Sequence, residues 1–122
     1  MARTKDIFDV ETEERPWGKF HEYRKGLKIL EVFPNESISL QFHKYREEFW
    51  EILEGNPIIT IGENIVQAKV GDRFIVPAMN LHRINGGNTG TRILEIAMGE
   101  FDENDIVRIE DKYNRTSPDD NL

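Results

Sequence analysis

The stretch 39-SLQFHKYREEFWEILEG-55 decides the fold. Its first half alternates in the manner of a strand, and successive side chains of a strand point to opposite faces. Ser39, Gln41 and His43 therefore share one face, and Leu40 and Phe42 take the other. After a short turn the alternation resumes, and Glu48, Trp50 and Ile52 share a face up to the glycine at 55. An amide, an imidazole and a carboxylate thus stand on faces where a β-barrel would bury valines. Further on, 71-GDRFIVPAMNLHRIN-85 places His82 at the start of another strand.

Period-two patterning continues on both sides. LKILEVF (27–33), SISLQFH (37–43), EFWEILEG (48–55), IITI (58–61), IVQAKV (65–70), DRFIVP (72–77), LHRIN (81–85) and TRILEIAM (91–98) read as strands. Turn chemistry separates them: PNE, EGNP, GEN and GGNTG. No segment carries a helical apolar stripe over three turns. The expectation is an all-β domain, a sandwich or small barrel.

Composition narrows the function classes. The chain has 122 residues, enough for one domain with a real core. It has no cysteine, which excludes disulfides and a thiolate nucleophile. A formal net charge of −7 argues against nucleic acid as the main partner. The sequence has no apolar run long enough to span a membrane and no apolar leader, so a cytoplasmic protein without membrane contact is expected.

If the inward faces converge, Gln41, His43, Glu48 and His82 meet. They bring an amide oxygen, two imidazole nitrogens and a carboxylate, a donor set that suits a borderline divalent ion. The competing reading is plain: a Gln-x-His pair on a strand is commonly a hydrogen-bonded polar pair, and a lone histidine is commonly structural. The combined spacing separates the two.

That spacing resembles the cupins. Their first motif runs glycine, five residues, His-x-His, three or four residues, Glu, six residues, glycine; here it reads Asn35, Gln41-x-His43, Glu48, Gly55. The second is matched by Gly71, Pro77-x-Met79, His82 and Asn85, one residue short at its end. Asn35 and Met79 stand at glycine positions, and asparagine tolerates the left-handed turn. More narrowly, RPWGKF (15–20), SLQFHKYREEFW (39–50), VPAMNLHRIN (76–85) and GEFDENDIVRIEDKYNR (99–115) resemble the cupin domain of type II mannose-6-phosphate isomerases, including the Gln-for-His exchange.

The resemblance implies a double-stranded β-helix, a jelly-roll-like barrel forming a single domain. The barrel would run over 27–115, with a preceding segment 1–26 whose RPWG motif packs on it and a flexible tail at 116–122. It implies a divalent metal on Gln41, His43, Glu48 and His82, with zinc the first choice and manganese, iron, cobalt or nickel the alternatives. It also implies aldose–ketose isomerisation, most simply mannose 6-phosphate to fructose 6-phosphate. Arg46, Arg108, Arg115 and Lys44 are the candidate substrate contacts, since arginine forks match a phosphate. Lys44, Tyr45 and Glu95 are candidate bases, and the residues do not choose among them. The family usually has histidines where this chain has Lys44, Tyr45 and Phe49. That departure sustains a second reading, a cupin that binds a sugar or sugar nucleotide without turnover. A third, a metal-dependent oxygenase, fits Gln41 less well. No glycine-rich nucleotide loop is present, so no nucleotidyltransferase activity is expected. By analogy with cupins, a homodimer is expected.

Overall fold

The computed structural model describes residues 10–100, 102 and 104–113. Eleven strands occur in these residues: β1 Glu11–Arg15, β2 Gly18–Arg24, β3 Leu27–Val32, β4 Leu40–Phe42, β5 Arg46–Glu54, β6 Ile58–Ile61, β7 Asn64–Gln67, β8 Arg73–Val76, β9 His82–Asn85, β10 Thr91–Gly99 and β11 Val107–Glu110. They form two antiparallel sheets, ordered β1-β2-β3-β10-β5-β8 and β11-β4-β9-β6-β7. The all-β reading holds. No helix among the described residues is long and apolar enough to cross a membrane.

The core lies where the inward faces of the two sheets meet. Leu30 and Val32 of β3, Trp50 and Ile52 of β5 and Ile93 of β10 come from the larger sheet. Ile38, Ile59 and Ile84 answer from the smaller. Alternation along β5 and β10 is strict: Glu48, Trp50 and Ile52, and Ile93, Glu95 and Ala97, are buried at every second position. Fully burying a large apolar side chain is worth about 1.5–3 kcal/mol, so this face drives the sheets together.

Two departures from the expected strands matter. Nothing before Leu27 reads as a strand in the sequence, yet β1 and β2 form a hairpin that extends the larger sheet through β3. The expected continuous strand 37–43 is also interrupted. Ser37 bridges Asn85 and Gln41 opposes His82, so four steps on one side face three on the other. The extra residue acts as a bulge and resets the alternation. Ser37, Ile38 and Ser39 are consecutively buried: Ile38 joins the core, while Gln41 and His43 line the cavity described below. Asn35 adopts φ 61, as its glycine-like position requires.

Gly55 closes the turn after β5 at φ +85, and a Cβ there would sit 2.1 Å from the Gly90 carbonyl oxygen. Gly71 is also left-handed, at φ +92, but has nothing within 4 Å. Gly55→Ala therefore combines a backbone clash with left-handed strain and is expected to cost more than about 2 kcal/mol. Gly71→Ala should cost about 1 kcal/mol, the strain alone. Urea midpoints of the two variants check the difference.

Candidate metal centre

Three strands deliver the site. His43 follows the end of β4, Glu48 lies on the inward face of β5, and His82 opens β9 opposite Gln41. All three side chains are buried, and one ligand atom from each lies within 4.8 Å of the others. His43 Nε2 stands 3.2 Å from Glu48 Oε2, and the two imidazole rings are 5.1 Å apart.

Backbone carbonyls orient both rings. His43 Nδ1 donates to the Asp105 carbonyl and His82 Nδ1 donates to the Asn80 carbonyl at 3.0 Å. A carbonyl only accepts, so each Nδ1 carries the proton and each Nε2 offers a lone pair. His82 Nε2 is buried and has no hydrogen-bond partner among the described residues. An orphaned buried acceptor is costly unless something electron-poor meets it. Burial pulls His82 below the ordinary histidine range, against the pull of the Glu48 carboxylate, and keeps the ring neutral as a ligand must be. Burial alone would raise Glu48. When the histidines are protonated, the His43 hydrogen bond and the charges of His82, His43 and Arg46 outweigh it and hold the carboxyl at about 2; with neutral rings the Arg46 guanidinium keeps its pull. Trp50 Nε1 donates to Glu48 Oε1 at 3.0 Å and aims the other oxygen at the histidines. Two neutral imidazoles and a carboxylate fit a divalent ion.

Gln41 lines the same cavity, and its Oε1 accepts from the Ser39 hydroxyl at 2.5 Å. Met79, at φ 69 in the family's glycine position, is exposed and lies outside the cavity wall; its amide donates to the His43 carbonyl at 2.7 Å.

Asp105 braces the turn that carries His43, although it lies 62 residues away in the chain. Its buried carboxylate accepts from the amides of Lys44 at 2.7 Å and Tyr45 at 3.0 Å, and its carbonyl accepts from His43. Asp105→Ala keeps that carbonyl but frees the turn. It is expected to weaken divalent-metal binding by roughly tenfold or more, as loss of a ligand's supporting contacts does. Competition against a chromophoric chelator measures it.

His43 and Glu48 of the cluster, with Gln41, line a cavity of about 260 Å³. Arg15, Lys28, Arg46 and Arg108 also line it, together with Glu95. Burial, helped by the neighbouring Glu48 charge, pushes Glu95 up to about 8, against the pull of Lys28 and Arg46. At neutral pH the charged lining is therefore mostly cationic, in a chain of net charge −7. Arg46 Nη2 lies 3.3 Å from both His43 Nε2 and Glu48 Oε2. Arg108 enters from β11, opposite Gln41 in register. Lys44, a candidate contact and base, is exposed and absent from the wall because the turn before β5 points it outward. Tyr45 is 62% exposed for the same reason. Arg115 falls outside the described residues. Sequence reasoning missed Arg15, Lys28 and Asp105. Lys28 shares the parity of buried Leu30 and Val32, and that signal could have found it.

The family model for the mannose-6-phosphate isomerase C-terminal domain matches residues 4–111. Alginate biosynthesis protein AlgA of Pseudomonas putida is 35% identical over 109 residues, covering 84% of this chain and 22% of that protein. Xanthan biosynthesis protein XanB of Xanthomonas campestris is 33% identical over 108 residues, covering 84% of this chain and 23% of that protein. This chain thus spans less than a quarter of the curated relatives it matches. Oxalate decarboxylase of Bacillus subtilis superposes with a TM-score of 0.71 at 20% identity, over 84% of this chain and 31% of that one, which shows the shared barrel fold.

Proposed function

The chain belongs to the mannose-6-phosphate isomerase C-terminal family, and on that premise we propose that it is a metal-dependent sugar-phosphate isomerase. Its simplest reaction is mannose 6-phosphate to fructose 6-phosphate. One observation carries the reading: His43 and Glu48 of the buried His43/Glu48/His82 cluster share a cavity with the buried Glu95 and four cationic side chains. The names of the two relatives, which concern polysaccharide biosynthesis, agree with a sugar-phosphate substrate.

Aldose–ketose exchange moves a proton between C2 and C1 of the open-chain sugar. A divalent ion bound by His43, Glu48 and His82, with Gln41 as a fourth donor, would polarise the substrate oxygens and lower the energy of the enediolate. Zinc is the first choice, by donor type. Of the candidate bases, Glu95 alone lines the cavity. Burial raises its carboxyl above the ordinary carboxylate range, toward the pH at which proton exchange is most efficient. Glu95 takes the C2 proton as carboxylate and returns it to C1 as acid. Trp17 and Phe20 supply apolar wall to the cavity.

The non-catalytic reading rested on histidines replaced by Lys44, Tyr45 and Phe49. None of these positions lines the cavity, and Phe49 lies on the outward face of β5 opposite Ile75, which supports turnover over binding alone. A coupled assay on metal-loaded protein tests the proposal. Fructose 6-phosphate should form from mannose 6-phosphate, while free mannose should turn over at least about tenfold less well in kcat/KM. Equal rates with both sugars would defeat the phosphate requirement, and no turnover of either would leave binding alone.

A further inference from the structure

Arg46 was expected to hold the substrate's phosphate, but its Nη2 is engaged by His43 and Glu48. That places it at the metal end of the cavity. The phosphate needs cations that the ligand cluster does not engage. We propose that Arg15 and Lys28, which flank the Phe20 ring on the wall built by the first three strands, hold the phosphate of a phosphorylated sugar. The inference rests on the sugar-phosphate reading and assigns that substrate's phosphate.

Three observations carry it. First, Lys28 occupies an inward position of β3, two residues before buried Leu30. Its neighbours in register are Glu95 and Glu22, on the inward faces of β10 and β2. A lysine at a core-facing position of a barrel strand is expensive unless its charge has work to do. Second, Lys28 Nζ lies 4.3 Å from the Phe20 ring centroid and the Arg15 guanidinium carbon lies 5.0 Å from the same centroid. One aromatic ring therefore holds two like charges, and both line the cavity. Third, Lys28 makes no hydrogen bond among the described residues, so its three donors are open to a ligand. Arg15 is braced from its own hairpin: Nη2 reaches Glu13 Oε2 at 2.6 Å and Nη1 reaches the Glu14 carbonyl at 3.1 Å. Those contacts engage two of its five N–H groups and fix the fork beside the ring. A dianion between the two cations would relieve their repulsion and gain charge-assisted hydrogen bonds.

The RPWG stretch gains a role from this. It sets the turn between β1 and β2, places Arg15 at the cavity and buries Trp17 in the core.

Sorbitol 6-phosphate is a suitable probe, since it has the phosphate but no carbonyl to isomerise. Its affinity for the metal-loaded full chain is measured by calorimetry, beside sorbitol, for wild type, Lys28→Gln, Arg15→Gln, Lys28→Arg and Arg46→Gln. Each neutral variant at 15 or 28 should weaken the phosphate probe by roughly tenfold, the usual worth of a charge-assisted contact. Lys28→Arg should restore most of the loss, and metal content should stay at the wild-type value. If Lys28→Gln binds the probe like wild type while Arg46→Gln does not, the assignment is overturned and the phosphate sits at the metal end. If both neutral variants lose the probe but wild type isomerises no phosphosugar, the subsite stands and the isomerase reading falls. If wild type turns over mannose 6-phosphate with a KM that neither variant changes, the subsite falls and the isomerase reading stands. A wild type that does not distinguish sorbitol 6-phosphate from sorbitol overturns the subsite outright.

Discussion

Replacing His43 and His82 together by alanine is expected to remove stoichiometric metal binding. The wild-type chain should carry close to one divalent ion. The double variant leaves one clustered carboxylate, Glu48, whose Oε1 already accepts from Trp50. Loss of a mere supporting contact costs about 10–100-fold in metal affinity, so loss of two direct ligands should cost at least about a thousandfold. Elemental analysis after dialysis against trace metal reads the content. Thermal unfolding reads the same loss independently. An ion at a thousand times its Kd stabilises the folded state by about 4 kcal/mol, so added metal should raise the melting temperature of wild type and leave the variant unmoved. Equal metal content in both proteins would remove the cluster from consideration.

Glu95→Gln is expected to cost about a hundredfold to ten-thousandfold in kcat, the usual contribution of a positioned acid–base group. Metal content should not change, because the amide keeps the shape of the side chain and Glu95 is outside the clustered ligands. A second readout separates chemistry from structure. The folded-state pKa of Glu95 is raised from 4.5 to about 8, by burial first and by Glu48 second. A raised carboxyl contributes stability that is fully present below its unfolded pKa and is lost as pH rises through the folded value. Between pH 4.5 and 8 wild type should therefore lose stability relative to Glu95→Gln, which cannot ionise. Urea unfolding at pH 5 and pH 8 gives the difference. A variant with wild-type kcat would exclude Glu95 as the group that moves the proton.

Most of the barrel is legible in the sequence because strict alternation is a local property. β5 and β10 each bury every second residue, and the positions of Glu48, Trp50 and Ile52 follow from counting by two. His43, Glu48 and His82 were legible for the same reason, and the structure brings them together. Counting fails where the register slips. Between Ser37 and Gln41 an extra residue is absorbed against Asn85 and His82, and no residue type in SISLQ announces it. The β1–β2 hairpin was hidden by composition: ETEER is charged and largely exposed, so it carries no apolar stripe. Long-range contacts were beyond any window. Asp105 meets His43, Lys44 and Tyr45 only after the chain returns through the whole barrel. Lys44 drew attention by its place beside His43, but the turn before β5 directs it to solvent. Lys28 has the right parity, but LKILEVF reads as an ordinary apolar strand.

The central claim is that Glu95 and the metal cluster together move a proton between C2 and C1 of a phosphorylated sugar. Mannose 6-phosphate deuterated at C2, incubated with metal-loaded protein and followed by NMR, tests it most directly. The account predicts that fructose 6-phosphate appears and that deuterium leaves C2, either to C1 or to water, with both signals lost in Glu95→Gln. Deuterium retained at C2, with no ketose formed by protein shown to carry its metal and to bind the sugar phosphate, would contradict the account.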